Sequence, residues 1–136
     1  MQNKLFEVVA MIVGLAVVSP LFAHHGGASF DVGKTVILKG TVKEWLYSNP
    51  HCLLTVEVKG DDGKMTQWIA ETQSPTVMYP AGYRKNSFKP GDVVTVKIEP
   101  VKSGEHAGRV MAVLTADGVL LGELNSTAKT GVTELK

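Results

Sequence analysis

Four histidines are the residues of this chain best suited to chemistry: His24, His25, His51 and His106. Imidazole nitrogen suits Cu(II) and Zn(II). His24 and His25 directly follow Leu21-Phe22-Ala23, a stretch with the form of a signal-peptidase site. A cut after Ala23 makes His24 the first residue, so that its α-amino group and ring can chelate together. Such a site needs one or two further ligands, and His51, with His25 or His106, is the candidate set. The spacing alone selects no metal, because the chain has no HxH, HxxxH or CxxC pairing. Solvated surface histidines, or an Asn49-Pro50-His51 turn whose imidazole bonds the backbone, would account for the same residues without metal. Glu71 is a candidate partner for His51, fixing its tautomer as carboxylates behind metal-binding histidines do. Tyr47 and Asn49 flank His51 and, with Trp45 and Tyr83, are candidates to line a rim for a small ligand.

The remaining reactive types are sparse. Cys52 is the only cysteine, which excludes an intramolecular disulfide. Its place in an alternating strand reads as core, where a thiol behaves as a small hydrophobe. A Cu(I) or redox role beside His51 would need exposure and a lowered pKa. Asp61-Asp62-Gly63 lacks the ligand spacing of a calcium loop and reads as a hairpin turn. There is no G-x-S-x-G elbow, phosphate-binding glycine loop or dinucleotide fingerprint, and Ser29 and Ser48 have no evident base. These absences favour a binding module over an enzyme.

The elements that would position the histidines begin after an export signal. Lys4 opens a short positive start, Val8 to Val18 is unbroken apolar sequence, and Ser19-Pro20 stops it. That is the layout of a signal peptide, residues 1–23, and it implies a periplasmic protein. A cut after Ala28 and an uncleaved anchor are the alternatives. The apolar run is shorter than the roughly 20 residues of a spanning helix, and Glu7 interrupts its extension, so a stable membrane anchor is not expected. No cysteine near the cut would carry a lipid. Removing residues 1–23 from the 136 leaves 113, enough for one domain. The formal charge of +1 gives no basic surface for nucleic acid.

Residues 24–34 read as an N-terminal arm, 35–124 as the folded domain and 125–136 as a mobile polar tail. Val36, Leu38 and Val42 share one parity, and Trp45 falls out of it, which predicts a bulge near Lys43-Glu44 in a strand from Thr35 to Tyr47. Cys52, Leu54, Val56 and Val58 alternate as a second strand. Gly60 to Gly63 is a hairpin turn, and Lys64 to Glu71 is the third strand. Ser74-Pro75 caps a short helix over Thr76 to Ala81, ending at Gly82. Lys89-Pro90-Gly91-Asp92 turns into a fourth strand with Val94, Val96 and Ile98 inward. Val110, Ala112 and Leu114 lie on a fifth strand, and Val119 to Leu121 is a short extra strand. The fold class is therefore all-β with one short helix. Three strands, a helix and two strands is the order of a small five-stranded OB-like barrel, with a small open β-sandwich as the alternative. In such barrels the loops carrying His51 and His106 flank the ligand-binding face.

The sequence resembles the small exported bacterial proteins grouped as domain of unknown function 6152. The matching pieces are Ala23-His24-His25, Ser29-Phe30-Asp31, Leu38-Lys39-Gly40-Thr41-Val42, Asn49-Pro50-His51, Trp68 with Glu71, and Ser74-Pro75. Gly82-Tyr83, Phe88 before Lys89-Pro90-Gly91-Asp92, and Asp117-Gly118 complete the pattern. Gly26-Gly27-Ala28 is an insertion relative to that pattern, and Tyr47 replaces a usual tryptophan. His106 belongs to none of its motifs. The resemblance implies export and a β fold and assigns no activity. The sequence thus points to an exported module whose candidate partners are a divalent copper or zinc ion. A metal-independent rim for a small ligand, glycan or envelope protein, or a structural subunit, is the alternative.

Overall fold

A computed structural model of the chain describes residues 29–122. The expected signal segment and cut site, His24, His25 and the tail from 125 onward lie outside the described residues. Strand β1 covers Val36–Leu46, β2 Leu53–Lys59, β3 Met65–Glu71, helix α1 Pro75–Met78, β4 Val93–Pro100, β5 Ala107–Thr115 and β6 Leu120–Gly122. The hydrogen-bonded order is β3-β2-β1-β4-β5-β6, and β3 also pairs in parallel with β5. That pairing closes five strands into an OB-like barrel, with β6 added on β5. The closure sets the open sandwich aside. No helix among the described residues is long and apolar enough to cross a membrane.

β1 serves two neighbours and bends to do so. Its first half pairs with β4 and its second with β2, and Gly40 faces both Val94 and Val58. A Cβ on Gly40 would lie 2.3 Å from the Glu57 carbonyl oxygen, so only glycine permits this close approach. The register of β1 on β2 slips between Val42 and Glu44, where the parity of Trp45 predicts a bulge. The Lys89-Pro90-Gly91-Asp92 turn docks there: Val42 N–H donates to the Asp92 carbonyl and Gly91 N–H to the Val42 carbonyl, at 2.8 and 2.9 Å.

A second bulge departs from the expected pattern. Ile98 faces Val110 but Lys97 faces Ala112, so Met111 is the extra residue in β5. The inward set is therefore Val110 and Val113, and Leu114 turns to the outer face opposite Leu120. The helix also differs from expectation, since α1 spans Pro75–Met78 and only turns continue to Gly82. Pro80 has no N–H with which to extend it. Ser74 occupies the N-cap position but makes no side-chain capping bond.

The core fills the barrel and one of its ends. Leu38, Val42, Leu54, Val56, Val94, Val96, Ile98, Val110 and Val113 line the interior. The segment between β3 and β4 closes one end with Met78 and Tyr83, both 0% exposed, and Phe88 at 4%. Burying a large apolar side chain contributes about 1.5–3 kcal/mol, so this plug is a main source of stability. Within the N-terminal arm, the described residues 29–34 are also part of the fold. Phe30 is buried and bridges to Val101, Asp31 N–H donates to the Pro100 carbonyl, and Lys102 N–H to the Ser29 carbonyl.

Candidate functional site

His51 is placed by a turn and a strand end. Asn49-Pro50 is a cis peptide bond, and Asn49 is exposed at the turn. Cys52 N–H then donates to the Gln73 carbonyl, and Thr72 N–H to the Cys52 carbonyl. These bonds carry β2 onto the end of β3, where Leu53 faces Glu71. His51 Nδ1 lies 2.5 Å from Glu71 Oε1 and is shielded from solvent. A proton on Nδ1 of the neutral imidazole would face this carboxylate and leave the lone pair on Nε2. The two side chains are 37% and 25% exposed, so the pair lies at the surface and orients the ring more than it stabilises the fold.

Glu71 is one member of a longer polar row. Its parallel register partner on β5 is Arg109, which in turn faces Glu99 on β4. Arg109 Nε donates to Glu99 Oε2 at 3.1 Å, and an Arg109 terminal nitrogen donates to the same oxygen. Glu99 is only 6% exposed because the arm covers it, with Gly33 N–H 3.4 Å from Oε1. The Arg109 guanidinium also lies 5.3 Å from the centre of the Phe30 ring. His51, Glu71, Arg109 and Glu99 thus alternate in charge type across the strands toward the arm. Arg109 and Glu99 were not candidates from the sequence. The available signal was a lone arginine within an otherwise apolar strand.

The other expected site residues are placed differently. The exposed His106 has its ring 4.9 Å from that of Trp68, and its carbonyl accepts the Ile69 N–H. Both histidine-bearing loops therefore meet β3, but at different side chains. Among the described residues no three histidine, cysteine, aspartate or glutamate side chains converge as a metal cage. Tyr47, Trp45 and Tyr83 belong to the plug and not to an open ligand rim. Tyr47 Oη donates to the Pro75 carbonyl at 3.1 Å, Trp45 Nε1 donates to the Arg84 carbonyl at 2.9 Å, and Tyr83 is fully buried. Cys52 is fully buried as its strand parity implies. Burial pushes its thiol pKa up, against smaller lowering by hydrogen bonds with Thr72 and Ser48.

A groove of about 520 Å³ lies between the plug segment and the β5–β6 hairpin, bordered by Ser87, Lys89, Asp92, Thr115, Asp117 and Leu121. It is separate in its lining from His51 and Glu71.

The chain belongs to the family of unknown function DUF6152, whose model matches residues 12–110. The matched span includes all four histidines. Neither the curated proteins nor the solved structures give a match to the chain.

Proposed function

We propose that this protein is an exported, periplasmic binding module that takes up Cu(II) or Zn(II), and that it is not an enzyme. His51 supplies Nε2 from the barrel, and His24, as the mature N-terminus, supplies its amine and ring. His25 is the further candidate ligand. His106, whose ring lies tilted against Trp68, stands apart from this set. The observation that carries the reading is the His51–Glu71 contact. A carboxylate on Nδ1 fixes the tautomer and makes Nε2 a better donor, as in many metal sites.

The test is calorimetric titration of Cu(II) and Zn(II) into protein beginning at His24. We expect His51→Ala, or one extra residue ahead of His24, to weaken binding at least tenfold. If His51→Ala binds both ions as tightly as the wild type, the proposal is wrong. A metal-independent reading, recognition of a small ligand, a glycan or an envelope protein, is favoured by the groove at Ser87 and Thr115. Partner capture that survives chelation and is lost on filling that groove would support it instead.

A further inference from the structure

We propose that Arg84 is the centre of an anion site on the outer surface of the plug, suited to a phosphate monoester. The site is independent of the metal reading and shares no residue with it.

The chain has two arginines, and the fold uses them differently. Arg109 donates from Nε and a terminal nitrogen to Glu99. Arg84 has no carboxylate partner among the described residues, yet its side chain is held in place. Its Nη1 donates to the Tyr79 and Tyr83 carbonyls at 2.6 and 2.8 Å. The guanidinium carbon lies 3.6 Å from the centre of the Tyr79 ring, a cation–π contact. The backbone of Arg84 is fixed as well, its N–H donating to Ser87 Oγ and its carbonyl accepting from Trp45 Nε1.

These contacts account for Nη1 and leave Nε and Nη2 over. In a planar guanidinium, Nε–H and one Nη2–H lie parallel along a common edge, the fork that takes two oxygens of a carboxylate or a phosphate. The carbonyls and the ring already set the plane of this fork, so little side-chain freedom remains to be lost when an oxyanion arrives. The residue is exposed, and so is its neighbour Lys85.

The surrounding charge selects phosphate. From Thr72 to Gly91 there is no acidic residue, against three cations, Arg84, Lys85 and Lys89, in a chain whose formal charge is +1. The acids that bracket this segment are engaged, Glu71 with His51 and Asp92 with the Lys89 N–H. Lys85 has no ion-pair partner among the described residues. A second cation beside a guanidinium suits the higher charge of a phosphate monoester better than that of a carboxylate. The groove bordered by Lys89 also carries Asp92 and Asp117, whose charges disfavour an anion there, so the site is centred on Arg84 and Lys85. The same fork serves the phosphate of a small molecule and that of a lipid headgroup.

The experiment is an NMR titration with glycerol phosphate at constant ionic strength. We expect the Arg84 Nε–H signal to shift to saturation while that of Arg109, held by Glu99, stays in place. With the backbone amides of Lys85 and Asn86 as reporters, Arg84→Gln should weaken binding about tenfold. Lys85→Gln should weaken it about threefold. An unmoved Arg84 signal, a shift that sodium chloride reproduces, or an unchanged affinity in Arg84→Gln overturns the proposal. Should Arg84→Gln speed amide exchange at Gly82 and Tyr83, whose N–H groups hold the turn to Tyr79 and Met78, Lys85→Gln decides. Weaker binding then supports the site, and wild-type affinity overturns it. Vesicles of phosphatidylcholine with and without phosphatidic acid distinguish the two sources. Co-sedimentation that needs both phosphatidic acid and Arg84 supports the site with a lipid as its ligand. Saturable glycerol phosphate binding without it supports the site with a soluble ligand. Co-sedimentation that survives Arg84→Gln, with no glycerol phosphate binding, overturns the proposal.

Discussion

The plugged end of the barrel and the polar row on its outer face use their residues in opposite ways. Trp45, Tyr47 and Tyr83 are the side chains that the sequence nominates for a ligand rim, yet they pack on one another and on Phe88. The Trp45 ring lies 5.1 Å from Phe88 and 6.1 Å from Tyr83, and the polar tips of Trp45 and Tyr47 are spent on backbone carbonyls. The row His51, Glu71, Arg109 and Glu99 contains no aromatic carbocycle, contributes little to the interior and holds its groups by charge and hydrogen bonding. Aromatic content locates the stability of this domain, and the polar row locates its candidate chemistry.

Substitutions at the two regions should separate cleanly. Tyr83→Ala is expected to have the largest effect, about 3–5 kcal/mol of stability, because it empties a fully buried site at the centre of the plug. Urea unfolding would measure it, and a loss below about 1 kcal/mol would show that the plug closes over the gap. Cys52, next in sequence to His51 but interior, should give an intermediate effect that depends on pH. Its thiol is held above its ordinary value of 9.0, so the folded state keeps the proton after the unfolded chain has released it. The associated stability is whole below pH 9 and is lost as pH rises from there through the folded-state pKa, at no more than about 1.4 kcal/mol per pH unit. Unfolding between pH 8 and 10.5 should show this limb in the wild type and a flatter one in Cys52→Ala. His51→Ala should be the mildest, within about 1 kcal/mol, since surface ion pairs contribute little. A thermal scan showing a larger loss would move His51 from the binding face into the scaffold.

How much of this was legible in the sequence depended on whether a parity break was visible. Around Lys43 the apolar set changes phase against polar neighbours, so the β1 bulge could be read directly. Around Met111 it could not, because Val110, Met111, Ala112, Val113 and Leu114 are all apolar and either register looks the same. The partnership of His51 with Glu71 could be anticipated from chemistry, since few carboxylates flank a strand facing that turn. Arg109 with Glu99 could not, because it depends on the register between β4 and β5 and on an arm folding back over both. The plug escaped for a related reason. Trp45, Tyr47 and Tyr83 have polar tips, and only the path of the chain between β3 and β4 brings backbone carbonyls to meet them.

The parallel pairing of β3 with β5 has a consequence for how the domain breathes. It comprises three residue pairs, Ile69 with Ala107, Ala70 with Gly108 and Glu71 with Arg109. Gly108 is held close to β4 there, where a Cβ would come within 2.5 Å of the Glu99 carbonyl oxygen. Parting these three pairs leaves every other strand pairing intact and uncurls the barrel into one continuous six-stranded sheet. Such a short ladder is the natural line of sub-global opening, a step well below full unfolding in free energy. Glu71 and its register partner Arg109 are one of the three pairs that part, so the two halves of the polar row belong to opposite lips of the same seam.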